Sequence, residues 1–284
     1  MGETPVSRGL RAWMAIEVLF GLAAILSVFL FPEQTEINFA WPAKPPVTAA
    51  VMGAFYVSAG ALFVGSFFVP TWERLRVIVL PSLIFTATEL LVTVLHWDRF
   101  AVGTLPYYVW FESYLLPPPI FALLYWWQQR RAAPVGSGIT APLAPWLRAL
   151  LLANGAALTL LFGAVLIAPA LLVAAGPWTF TPLTARALSG WGISLGLLLL
   201  SMGAENDRRR VHLATLMPLT LAPALLVQFL RFGAGVRWDS PWLLLFLADV
   251  ALLAALAAAL RLNLPFTVAG PHQGPRRGDR VRAA

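Results

Sequence analysis

The sequence predicts an all-α polytopic membrane protein: a bundle of eight transmembrane helices built as two parallel four-helix repeats. Three observations carry this expectation. Of the 284 residues, 59% are hydrophobic and only 12% are charged, about half the charge of an ordinary soluble domain, and the mean hydropathy is +0.76. Eight stretches approach the ~20 apolar residues needed to cross a bilayer core of ~30 Å. Landmarks of the first half of the chain also recur in the second.

The spans fall at about 10–31, 47–69, 75–96, 106–128, 147–173, 184–203, 211–232 and 241–262. The first follows a tail with Arg8 and Arg11 and runs on to Phe31-Pro32 without a small-residue cleavage site, so it reads as a span and not as a signal peptide. Pro117, Pro118 and Pro119 fall inside the fourth span, where an unbroken helix cannot hold them. Each removes a donor and crowds the carbonyl four residues back. With the N-terminus inside, the cytoplasmic segments hold 15 of the 20 basic residues and the outer side holds five, Lys44, Arg99, Arg186, Arg231 and Arg237. That asymmetry predicts both termini in the cytoplasm. Tryptophans near span ends, Trp41 and Trp178 among them, read as interfacial anchors.

Leu10-Arg11-Ala12 opens the first span and Leu147-Arg148-Ala149 the fifth, a separation of 137. The same offset relates Glu17 to Asn154, Pro32 to Pro169, Trp41 to Trp178, Pro81 to Pro218 and Glu112 to Asp249. Each half carries four spans, an even number, so both enter the membrane the same way and the repeat is parallel. The expected organisation is residues 1–136 and 137–264 as the two membrane repeats, and 265–284, rich in Pro, Gly and Arg, as a disordered basic cytoplasmic tail.

Composition also excludes. The chain has no cysteine and three histidines, which removes thiolate chemistry and Cys-ligated metal sites and argues against any resident metal. The net charge of +7 lies in short loops beside apolar spans, so it reports topology and not nucleic-acid binding. There is no Walker phosphate loop, His-Glu-x-x-His or Gly-x-Ser-x-Gly. Lysine appears once, at Lys44, against many Arg, Ala, Gly and Pro, whose codons are GC-rich. That usage points to a high-GC bacterium and its plasma membrane.

Polar residues within spans are costly and therefore informative. Ser82, Thr86, Glu89, Thr93 and His96 recur at helical spacing and fall on one face of the third span. Such a stripe must face protein or water. By chain direction, Glu89, His96, Glu112, Arg186, Arg231 and Asp249 share the outer half. The expected ligand-binding set is accordingly Glu89, Thr93, His96, Glu112, Arg186, Arg231 and Asp249, with the arginines paired to the acids and Glu17 and Asn154 forming a separate structural pair. Two functions fit. One is a small transporter or permease for a solute or lipid-like molecule, with its site between the repeats. The other is a non-catalytic membrane subunit or scaffold that holds a lipid, a hydrophobic cofactor or a partner membrane protein. An intramembrane enzyme has the least support, and no cofactor is specified.

The absence of native cysteine makes the topology directly testable. Single cysteines introduced at Gly2, Ser137 and Ala283 are expected to label only from the cytoplasm, and those at Gln34 and Gly103 only from outside. Outside labelling at Ser137 overturns the span count or the orientation.

Overall fold

A computed structural model describes residues 3–262; the basic tail expected at 265–284 lies outside them. The described chain is helical and contains no named strand. In order, the helices are α1 (Arg8–Ala24), α2 (Thr35–Asn38), α3 (Pro46–Ser66), α4 (Trp72–Leu95), α5 (Leu105–Leu115), α6 (Pro117–Gln129), α7 (Pro145–Ile167), α8 (Ala170–Ala175), α9 (Pro182–Glu205), α10 (Arg208–Val211), α11 (Leu216–Phe232) and α12 (Pro241–Arg261). Seven helical segments are long and apolar enough to cross a membrane: Arg8–Leu30, Pro46–Ser66, Trp72–Leu95, Pro145–Ile167, Pro182–Glu205, Arg208–Gly235 and Pro241–Arg261. The fourth expected span is two shorter helices, α5 and α6, which meet at Leu116. The proline run that breaks them sits in the first turn of α6, where a missing N–H costs no hydrogen bond.

The ends of these helices are set locally. Ser7, Thr104 and Asp207 cap α1, α5 and α10 with side-chain oxygens. Thr181 and Thr184 form a reciprocal capping box on α9. Prolines open α3, α6, α7, α9 and α12. Four helices, α3, α4, α9 and α11, make the interior, while α1, α7 and α12 keep most of their apolar surface outward, as lipid-facing helices do. α9 packs along both α7 and α4, and α3 packs along α11. The α7–α9 contact is backbone to backbone. A Cβ on Gly155 would lie 2.7 Å from the Gly196 carbonyl oxygen, so only glycine permits this approach.

α1 does not end as an α-helix. It widens into a π-helical turn, Ile25–Leu30, and Gly53 of α3 fits against it, where a Cβ would sit 2.5 Å from the Phe29 Cα. The loops that follow α1 and α7 do contain short helices, α2 and α8, as expected of interfacial turns. Their tryptophans do not face the headgroups. Trp41 is 1% exposed and packs against Phe39, Phe100 and Trp110. Trp178 is buried and donates to Thr48 Oγ1 at 2.9 Å. Aromatic packing outweighs interfacial placement at both.

At one end of the bundle the arginines meet carbonyls and each other's loops. Arg11 donates to the Phe67 and Val69 carbonyls, and Arg148 to the Gly203 carbonyl, each closing the C-terminal end of the next long helix. Pro5 bridges to Thr71, and Pro142 to Asp207. At the opposite end Ala101 N–H donates to Ala40 and Arg237 N–H to Pro177.

A buried ion-paired group lies at the arginine-rich end. Arg76 of α4 and Glu205 at the end of α9 form an ion pair whose side chains are each 2% exposed. Arg76 Nη2 donates to Glu205 Oε2 at 2.9 Å, and its Nη1 to the Ala133 carbonyl at 2.6 Å. Arg210 donates to the same carboxylate at 3.3 Å and to the Ser137 and Gly138 carbonyls. This group ties α4, the segment after α6, α9 and α10 together. Beside it, burial raises the Asp207 carboxyl's pKa, but N–H donors from Thr140, Ala141 and Arg209 and the Thr140 hydroxyl outweigh that and hold it below its ordinary value.

Removing one partner of a buried pair strands the other charge, at a cost of about 3–5 kcal/mol. Arg76→Met is therefore expected to lower the thermal stability of the detergent-solubilised protein severely. Lys44→Ala, which removes the exposed Lys44–Glu36 pair, should change it by less than about 1 kcal/mol. Equal effects would contradict this assignment.

Candidate functional site

α4 carries the polar stripe, and its hydroxyls turn back on their own helix. Ser82 donates to the Ile78 carbonyl, Thr86 to Ser82, and Thr93 to Glu89. Each is thereby satisfied without a neighbour. Thr93 Oγ1 also accepts the Trp110 indole N–H at 2.9 Å, which fixes that ring across the α4–α5 contact. Glu89 is 1% exposed, and neither carboxylate oxygen has a hydrogen-bond partner among the described residues. It lies against Gly190 of α9, where a Cβ would meet Glu89 Oε1 at 2.2 Å.

The seven candidates do not assemble into one cluster. His96 and Arg186 do meet, at 2.9 Å between Nε2 and Nη1, and Arg186 also donates to the Leu166 carbonyl at the end of α7. Glu112 is exposed on the outside of α5. Arg231 is exposed and caps the π-helical turn, donating to the Phe29 and Leu30 carbonyls at 2.8 and 2.9 Å. Asp249 accepts from Asn154 at 2.6 Å across the α7–α12 contact. The expected pairing of arginines with acids is therefore replaced by arginines on helix-end carbonyls, and Asn154 is partnered by Asp249 and not by Glu17. For the arginines the physical reason is that a helix end inside the bundle leaves carbonyls that need donors.

The structure does contain a cavity of about 240 Å³ among α1, α3, α4, α5 and α9. Phe20, Phe63, Phe85, Trp110 and Trp191 are among the residues that line it. Trp191 anchors this wall, stacked on Phe55 and edge-on to Tyr56. Tyr56 and Tyr114 hydrogen-bond to each other through their hydroxyls where α3 faces α5. Ser82 and Thr86 also line the cavity, with their protons already committed. Glu17 of α1 and Asn38 of α2 also line it, though Glu17 Oε1 and Asn38 Oδ1 are themselves closed off and have no hydrogen-bond partner among the described residues. α1 and α5 meet only sparingly, and partly exposed residues flank the gap, Gly21 and Ala24 on one side and Val109 and Ser113 on the other. The cavity thus opens between α1 and α5.

Sequence reasoning found Thr93 and Glu89, which stand behind this wall, and missed the wall itself. Glu17 was visible as an acid within a span. Tyr56, Tyr114 and Trp191 carry no motif and resemble ordinary core aromatics. No group of three or more His, Asp or Glu that could hold a metal ion is assembled among the described residues.

Because neither oxygen of Glu89 has a partner to lose, Glu89→Gln is expected to leave the melting temperature unchanged or raised. An unmet buried acid costs free energy, and the amide is less costly to desolvate. A fall of more than a few degrees would mean that Glu89 holds a partner whose loss unfolds the bundle.

No protein-family model, curated protein sequence or solved structure matches this chain, so its functional reading rests on the pocket and its surroundings.

Proposed function

We propose that the protein is a multi-pass membrane protein that takes a lipid-like amphiphile from the bilayer into the lateral pocket between α1 and α5. The observation that carries this reading is an aromatic cavity, open between α1 and α5, whose lining includes the acid Glu17 and the amide Asn38. Its volume, about 240 Å³, is below the ~300–1,000 Å³ of sites that enclose a whole drug-sized ligand. It suits one end of a longer molecule, with the remainder in lipid. A hydroxyl, amide or ammonium group on that end would lie beside Glu17 and Asn38, and the apolar body would lie along the aromatic wall. Of the sequence candidates, Thr93 acts through Trp110 and Glu89 stands behind the tyrosine pair. Glu112, Arg231 and Asp249 belong to other surfaces.

The same reading takes the bundle as eight crossings in two parallel halves, residues 1–136 and 137–264, with both termini in the cytoplasm of a bacterial plasma membrane. Related contacts recur at nearly the same sequence offset. Pro5–Thr71 matches Pro142–Asp207, Arg11 on the end of α3 matches Arg148 on the end of α9, and Ala101–Ala40 matches Arg237–Pro177. The exchange of partners is also reciprocal, α3 with α11 and α9 with α4, as a pseudo-two-fold axis along the membrane normal would give. Taken together, α5 and α6 run from the Ala40–Ala101 end to the Arg76–Ala133 end, which supports the fourth crossing. Movement of the bound molecule across the membrane is the second reading. It is favoured by Glu89, an unpartnered acid just beyond the pocket where α9 of the second half packs on α4.

Gly21 lines the pocket, and a Cβ there would meet nothing within 4 Å. Gly21→Leu should therefore fill the entrance without disturbing the helix, whose propensity it improves by about 1 kcal/mol. Lipophilic molecules extracted from purified wild-type protein are expected to include one species that is depleted at least tenfold from Gly21→Leu, with an unchanged or raised melting temperature. Identical extracts from both would refute the pocket as a binding site.

A further inference from the structure

A second groove, of about 720 Å³, lies at the arginine-rich end of the bundle and has no part in the pocket above. Arg74 in the first turn of α4, Arg208 and Arg209 of α10, and Arg261 at the end of α12 line it, and no acidic residue does. The nearby acids are committed elsewhere. The Asp207 carboxylate accepts N–H groups of Thr140, Ala141 and Arg209, and Glu205 is buried between Arg76 and Arg210. Arg74 is paired with Glu3, which is about one-third exposed, through Nη2 at 3.1 Å and Nε at 3.4 Å, so an anionic headgroup there shares or displaces Glu3. Arg261 is held in place by bonds to Thr215 Oγ1 at 2.7 Å and to the His212 carbonyl. These use two of the five guanidinium donors and fix the plane of the rest. Arg209 is exposed and makes no ion pair among the described residues.

Besides the arginines and the exposed His212, the wall is apolar, and it reaches the outside of the bundle at Phe68, which is 82% exposed, with the partly buried Leu216 and the buried Leu260 beneath. The groove lies where α3, α11 and α12 end and the apolar spans give way to polar chain. That is the depth of lipid headgroups, and basic pockets between spans at that depth suit anionic headgroups.

We propose that this groove binds the phosphate headgroup of an anionic phospholipid, held by Arg74, Arg209 and Arg261, with an acyl chain lying along Phe68, Leu216 and Leu260. Guanidinium groups bind phosphate oxygens through paired, charge-assisted hydrogen bonds. A free phosphate would use the same donors but gain nothing from the apolar wall.

The test uses the purified full-length protein in a neutral detergent, titrated in parallel with phosphatidylglycerol, phosphatidylcholine and inorganic phosphate, and followed by melting temperature and by native mass spectrometry. Phosphatidylglycerol is expected to bind saturably and raise the melting temperature, and phosphatidylcholine is not. Arg209→Gln should weaken phosphatidylglycerol about fivefold, the effect of one surface arginine near an anionic lipid. Arg74→Gln/Arg209→Gln should weaken it further. Arg209 is exposed and its side chain holds no other element, so Arg209→Gln should fold normally and its result is decisive even if an Arg261 variant does not fold. Gly21→Leu should leave phosphatidylglycerol binding unchanged, because the two sites are separate. Equal stabilisation by phosphatidylcholine, or full phosphatidylglycerol affinity in the double variant, would overturn the site. Inorganic phosphate reproducing the whole shift would overturn its assignment to a lipid.

Discussion

Every polar group that this chain takes out of water must be met by another part of the chain, because a bilayer core offers no substitute. The architecture follows from how that demand is answered. Carboxylates are few, so arginines are spent on helix-end carbonyls: Arg11 on α3, Arg148 on α9, Arg186 on α7 and Arg231 on the π-helical turn of α1. Each contact reaches from one helix to the end of another, so satisfying a carbonyl also fixes a packing register. The Arg76–Glu205–Arg210 group is the strongest case, since it meets three charges and four loop carbonyls at once.

The same accounting makes the pocket conspicuous. Serines and threonines along α4 are closed on their own backbone, and the two tyrosines on each other. Against that background, Glu89 behind the tyrosine pair, and Glu17 and Asn38 in the cavity lining, each keep a buried oxygen without a partner among the described residues. The widened turn after α1 and the break at Leu116 lie on the two helices that fail to close on one another. A π-helical turn and a proline break each re-aim a helix, and here they border the opening.

Much of the architecture could be read from local pattern. The apolar lengths identify the seven long helices, and the three prolines identify where α5 gives way to α6. The stripe on α4 was legible because helical spacing alone decides which residues share a face. Partners were not legible, because they are non-local. Asn154 meets Asp249 across 95 positions, and Arg231 meets the Phe29 carbonyl across 202. Depth along a span also says nothing about which way a side chain faces. Glu112 lies at the expected position along its helix yet points outward. The backbone was the unseen partner: an arginine in a span suggests a carboxylate, but helix ends supply acceptors that no side-chain inventory contains. Trp191, Tyr56 and Tyr114 gave no signal, since a cavity wall and a packed core use the same aromatic residues.

A density map of the protein in a lipid bilayer bears most directly on the lateral pocket. The account predicts elongated density entering between α1 and α5, ending beside Glu17 and Trp191 and continuing outward into the lipid. A map in which α1 closes against α5 and the cavity is filled by its own side chains would contradict it.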